Sequence, residues 1–290
     1  MKQIDFDHGT VTGNILGAAL PMLVAQILSL LYNIVDRIYI ARIPSVGTTA
    51  LGAVGLCFPI IVIITAFSNL FGSGGAPLFS INRGKGNIKK AEAIMNTSFS
   101  MLCICGVALM VIGMLFASSI LMLFGASEEG LSYAYPYMMI YLIGTVPSMV
   151  ATGMNPFINA QGYATSGMLS VTIGAVANLI LDPLFIFGLN LGIKGAAIAT
   201  IISQTLSAAY VFYFLRKKAE LKVRVLSKGE WKACRDDAKN IVSLGSAGFI
   251  MQLTNSLVTI CCNSVLSGIG GDVYILSLIH ISEPTRLGMI

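Results

Sequence analysis

The sequence predicts an all-α polytopic membrane protein, and three observations carry the prediction. Of its 290 residues, 56% are hydrophobic and only 11% charged, against about a quarter charged in an average soluble domain. The apolar residues gather into seven runs, each long enough for a bilayer core, which takes about 20 residues of helix. The breaks between runs fall at Gly, Ser, Pro or charged residues, the ordinary punctuation of helices.

The start, MKQIDFDHGTVTGN, carries two Asp and a His before the first run and lacks the basic, apolar, small-residue order of a cleaved signal peptide. The first span, 14–40, is therefore expected to stay as a helix. Pro21 lies near its beginning, where a missing N–H permits either a functional bend or a plain kink. Asn33, Asp36 and Arg37 stand towards its far end. The second span, 48–71, runs into GSGGAP at 72–77. No strand precedes that stretch and no Lys-Ser or Lys-Thr follows, so it reads as a place where helices approach closely, not as a phosphate loop. The third span, 97–124, ends at an acidic connection holding Glu128 and Glu129. The fourth, 133–157, opens with Tyr133, Tyr135, Tyr137 and Tyr141, an interfacial aromatic belt from which Tyr137 and Tyr141 can reach inward. The fifth, 168–189, holds Asn178, Asp182 and Pro183, and the sixth, 196–215, holds Thr200 and Gln204 one turn apart. A basic stretch, 216–240, separates these six from the seventh span, 241–268.

Most of the 18 Lys and Arg residues lie at Lys2, in the connection after the second span (Arg83, Lys85, Lys89, Lys90) and in 216–240. The connections after the third and fifth spans hold only Lys194 between them. The positive-inside rule then places the N-terminus and the even-numbered connections in the cytoplasm. The net charge of +5 is topological, and no compact basic domain with interleaved aromatics is present to bind nucleic acid. The expected organisation is a six-helix bundle over 1–215, a basic cytoplasmic linker over 216–240 and the first helix of a second lobe over 241–275. Leu-Gly-x-Ala occurs at both 16–19 and 244–247, a short match of the kind that paired transporter halves leave.

Cysteine spacing supports neither a disulfide framework nor a zinc site. His8 and His280 are isolated, and no nucleophile, base or metal constellation surrounds them. No enzyme is read here. Of the 13 acidic residues, only Asp36 and Asp182 fall inside apolar runs. Each costs about 2.5–3.5 kcal/mol at a helix centre, so by default they mark a functional cavity. Asn178 precedes Asp182 by one turn and shares its face. Pro183 cannot donate to the carbonyl of Leu179, which leaves carboxylate, amide and carbonyl oxygens together, a set suited to a hard cation. The plainer alternative is that Asp182 pairs with a polar residue of a neighbouring helix. For Asp36 and Arg37 the alternative is snorkelling to the headgroups, and for Thr200 and Gln204 it is bonding to neighbouring helices or their own backbone.

These elements together resemble the multidrug and toxic compound extrusion family, bacterial antiporters of twelve helices in two six-helix lobes. The resemblance rests on Pro21, on LYNIVD ending at Asp36, on RGKGN at 83–87, NAQG at 159–162, ANLILDPLFIF at 177–187 and GIKGAAIAT ending at Thr200. It implies half of a twelve-helix transporter plus one further helix, in the bacterial cytoplasmic membrane and monomeric at full length. It implies cation-coupled antiport of amphipathic organic cations by alternating access, with no cofactor beyond a coupling proton or sodium ion. Asp36, Asn178, Asp182 and Thr200 match its cation site, and Pro21 matches its bending point. Asn33, Tyr137, Tyr141 and Gln204 are expected at the substrate cavity or the bend. Membrane lipid is the surrounding partner. A lipid-linked or polysaccharide flippase of the wider superfamily is the alternative, although such proteins carry a more basic cavity than this one. Arg37 departs from the smaller residue expected after the aspartate, and SAGF at 246–249 lacks a proline often found there.

The segment LSLIHISEPTR at 276–286 resembles the translation of a transposase sequencing adapter. The tail, 276–290, is expected to be adapter-derived, leaving His280, Glu283 and Arg286 without functional weight; a true loop with a Glu-Pro turn is the alternative. A chain that stops there would lack most of a second lobe and is expected to be inactive by itself.

Overall fold

The computed structural model describes residue 4 and residues 10–44, 46–126, 128–226 and 229–270; the tail lies outside the described residues. Nine α-helices follow one another among those residues, with no strand: α1 (Val11–Ala41), α2 (Gly47–Gly84), α3 (Ile88–Leu123), α4 (Glu128–Ile143), α5 (Thr145–Ala160), α6 (Ala164–Pro183), α7 (Ile193–Tyr213), α8 (Glu230–Ala233) and α9 (Arg235–Gly270). Single π-helical turns, Leu184–Gly188 and Phe214–Lys218, continue α6 and α7. Six of the helices are long and apolar enough to cross a membrane, and α4 with α5 makes a seventh crossing if the bent pair counts as one. The protein is a multi-pass membrane protein.

Local sequence explains two of the helix starts. The Thr10 hydroxyl accepts from the Gly13 N–H at 3.2 Å and caps α1, and the Asn87 side chain accepts from the Lys90 N–H at 3.3 Å to cap α3. Such caps satisfy backbone donors that the first turn leaves free.

Three expected boundaries shift. The fourth span is not one helix: α4 and α5 meet at 56°. Pro147 has no N–H to give the carbonyl of Ile143 and its ring crowds that oxygen, while the Gly144 N–H folds back to the Tyr141 carbonyl at 2.9 Å. The second helix does not end near residue 71 but continues through GSGGAP to Gly84. Glycine there serves close packing: a Cβ on Gly72 would stand 2.5 Å from the Gly153 carbonyl oxygen of α5, and one on Gly74 would stand 2.3 Å from the Ile241 carbonyl oxygen of α9. Gly245 of α9 returns the contact, its Cβ position lying 2.1 Å from the Leu70 carbonyl oxygen. The last helix begins at Arg235, inside the stretch expected to be linker.

The helices pack as a bundle in which α2 lies against α3, α5 and α9, α1 lies along α6, and α7 contacts α4, α5 and α6. One end gathers the basic connections. There the Ile4 N–H donates to the Gly162 carbonyl at 3.0 Å. Arg83 donates to the Ala160 carbonyl at 3.1 Å and pairs with Glu220 at 2.6 Å. Residues 219–226 are a strap rather than a free linker. Buried Gln161 accepts from the Leu221 N–H at 2.9 Å, Asn96 accepts from the Arg224 N–H at 2.8 Å, and Ser100 accepts from the Leu226 N–H at 3.1 Å. Leu221, Val223 and Leu226 are buried beneath it. Since α5 ends where α2 ends, α4 and α5 together run once from the opposite face to this one.

Candidate functional site

The site forms where α1 lies along α6, with tyrosines of α4 within electrostatic reach of it. On α6, Asn178 and Asp182 stand one turn apart, and the Asn178 amide donates to Asp182 Oδ1 at 3.1 Å. Both are buried, 3% and 0% exposed. The helix leaves α geometry at the next residues, passing from Pro183 into the π turn. A π turn of this kind recurs at functional sites.

Asp182 also meets α1. The carboxyl groups of Asp36 and Asp182 lie within hydrogen-bonding reach of each other, and Asp36 Oδ1 and Asp182 Oδ2 are buried with no other donor. Two like unit charges about 4 Å apart repel by about 4 kcal/mol at an effective dielectric of ~20. A proton or a hard cation between the oxygens removes that repulsion, which is the chemistry the arrangement can perform.

Around the pair, Tyr137 and Tyr141 of α4 are buried and stack with ring centres 6.2 Å apart. Tyr137 lies within electrostatic reach of both carboxyls. Gln204 of α7 donates to the Tyr141 hydroxyl at 3.3 Å, while its own Oε1 is buried without a donor. The inward reach of these two tyrosines separates them from Tyr135, which is 40% exposed.

Other expected site residues bond within their own helices or lie elsewhere on α1. The Thr200 hydroxyl donates to the Ala196 carbonyl at 2.9 Å on its own helix. Asn33 is exposed, donates to the Ser29 carbonyl at 2.7 Å and lies within hydrogen-bonding reach of Tyr32. Pro21 sits within a continuous α1, about 22 Å along the axis from Asp36 at 1.5 Å per residue. Arg37 does not snorkel: its guanidinium carbon lies 5.7 Å from the centre of the Phe58 ring on α2, and its Nη1 is buried.

The MatE family model matches residues 21–184, more than half of the chain and a region that contains both carboxyls. The chain belongs to the MatE family. It is 27% identical over 266 residues to the multidrug export protein MepA of Staphylococcus haemolyticus, an alignment covering 91% of this chain and 58% of that relative. It is 28% identical over 272 residues to an FAD transporter of Shewanella oneidensis, covering 90% of this chain and 59% of that one. Among solved structures it is similar to a multidrug resistance MATE transporter of the MOP superfamily in an outward-facing conformation, with a TM-score of 0.85 and 26% identity, covering 100% of this chain and 63% of that chain. This MatE chain thus spans less than two thirds of the length of those relatives.

Sequence reasoning missed one neighbour of the site in this MatE chain, and one buried ion pair outside it. Tyr32 lies within electrostatic reach of Asp36 and of Tyr141; its place four residues before Asp36 was the available signal. Asp237, read as a loop residue, is buried at 4% exposure and pairs with Lys90 at 2.7 Å. Its position in a basic, polar stretch concealed that.

Proposed function

We propose that this chain carries the coupling-cation site of a secondary multidrug antiporter. A proton or sodium ion held between Asp36 and Asp182 drives export of amphipathic organic cations by alternating access. The observation that carries this reading is the pair of buried carboxyls facing each other with an orphan oxygen on each. Asn178 steadies Asp182 and offers an amide oxygen. Thr200 keeps lone pairs for a cation although its proton is committed to Ala196. Bending at Pro21 would move the Asp36 end of α1 relative to α6 and so open or close the pair. The basic end of the bundle faces the cytoplasm of a bacterial cell, in accord with the positive-inside rule. The full-length transporter works as a monomer, with lipid around it and no cofactor.

The FAD transporter among the relatives favours a second reading, in which the cargo is an anionic dinucleotide. One assay separates the two. The intact, full-length gene is expressed in an efflux-deficient bacterial host, and accumulation of ethidium and release of flavin are followed together. Lower ethidium accumulation than in the Asp182→Asn variant is expected; equal accumulation in the two strains sinks the multidrug reading, and flavin release confined to the wild type replaces it with the second. Repeating the measurement with the sodium or the proton gradient collapsed identifies the coupling ion.

A further inference from the structure

Asp237 takes no part in the coupling scheme, yet its side chain is 5% exposed and reaches from α9 to Lys90 of α3 at 2.7 Å. A carboxylate taken that far from water depends on its cation. The lysine side chain keeps 44% exposure, so parting the two would cost the carboxylate more than the amine. The pair stands at one end of a seam between α9 and α2. Along that seam the Ser256 hydroxyl donates to the Pro59 carbonyl at 3.1 Å, and Phe249 meets Phe67 with ring centres 4.8 Å apart. One turn further, Gly245 lies on the Leu70 carbonyl, and the Ile241 carbonyl lies on Gly74. At these two glycines the seam is backbone against backbone, closed without interlocked side chains. It ends at Lys90 and Asp237, beside the strap and the basic connections. The strap bonds to α2, α3 and α5, whereas α9 itself meets the bundle, among the described residues, through this one ion pair.

We infer that the Lys90–Asp237 pair is a latch: it holds this end of the α2–α9 seam closed and parts when the seam opens. With the seam closed, Asp237 is sheltered and Lys90 is its counter-charge. Once α9 leaves α2, water reaches the carboxylate and takes over that role, which offsets part of the cost of separation. Such a contact biases the closed arrangement without making it permanent. The inference rests on the alternating-access reading above.

The test uses the full-length protein in lipid nanodiscs, with native cysteines replaced and spin labels at Lys85 and Lys239, exposed positions on the α2 and α9 sides of the seam. Pulsed dipolar spectroscopy reads the label distance while sodium, pH and ethidium are varied. The wild type is expected to hold mostly a shorter distance, the closed seam, with a share of a longer one that responds to these ligands. Asp237→Asn and Lys90→Gln should each raise the ratio of longer to shorter at least about tenfold, the scale of a lost charge-assisted hydrogen bond. Exchanging the charges, Lys90→Asp together with Asp237→Lys, should return the ratio to within about threefold of wild type. Both residues stand third in their helices, so the exchange trades one helix-end effect for the other. A pair that only steadies the fold would lower the thermal midpoint of the single variants and leave their ratio at the wild-type value; with a wild type that still responds to ligands, that result overturns the latch and leaves alternating access standing. A folded charge-exchange protein that keeps the ratio of the single variants overturns the latch as well. One unchanging distance in the wild type under every condition and in both single variants refutes alternating access itself, and the latch with it. Should one single variant not fold, the other reads the same pair.

Discussion

Asp182 is held by Asn178 at Oδ1 and lies within hydrogen-bonding reach of Asp36, and these two relations differ in how they could be known. The first follows from spacing, since residues four apart on a helix share a face. The second joins distant helices, and nothing in either local sequence says which neighbour each carboxyl meets. The Asn178 hydrogen bond also has a measurable weight. Removing it by Asn178→Ala should lower stability by about 1 kcal/mol, between the ~0.6 kcal/mol average inside bilayers and the ~1.5–3 kcal/mol of bonds to charged groups. Equilibrium unfolding in mixed micelles measures this, and unchanged stability would show that Asp182 is held by other means. Thr200 and Asn33 each commit a donor to a carbonyl of their own helix, an option open to any hydroxyl or amide on a helix.

At the scale of elements, the break between α4 and α5 is the clearest departure from hydrophobic periodicity. The apolar run across 133–157 is continuous, so composition alone predicts one helix. Gly144 and Pro147 decide otherwise, and α7 packs into the corner, where a Cβ on Gly144 would stand 2.9 Å from Ile201 Cγ1. Pro147→Ala restores a donor for the Ile143 carbonyl and should straighten the pair. Spin labels at exposed Tyr135 and Thr152 should then move apart by about 3 Å, given 1.5 Å of rise per residue on each arm. An unchanged distance would assign the bend to the packing of α7 alone. The glycines of α2 and α9 carry the complementary lesson. Their composition foretold close approach, but the partners, Gly153 of α5 and Ile241 and Gly245 of α9, are set by which backbones the bundle brings alongside.

Across the whole molecule, the basic connections, the strap 219–226 and the N-terminal residue Ile4 share one end of the bundle. With the native cysteines replaced, a membrane-impermeant maleimide applied to intact cells should label a cysteine at exposed Glu128 and spare one at exposed Gly86. The reverse pattern would overturn the proposed orientation. The strap shows why a composition-based boundary fell short. Lys217, Lys218, Lys222 and Arg224 read as solvent-facing linker, yet the alternate residues Leu221 and Val223 are buried, and the N–H groups of Leu221, Arg224 and Leu226 donate to Gln161, Asn96 and Ser100. By itself the sequence determined the class, the multi-pass character, the clustering of basic charge and the two carboxylates worth attention. These follow from transfer energies, which depend on residue type and run length. Only the tertiary structure decided that Asp36 meets Asp182, that Arg37 turns inward onto Phe58 and that Asp237 is buried against Lys90. Side-chain partners across helices depend on the rotation and depth of each helix, which the packing of the whole bundle sets.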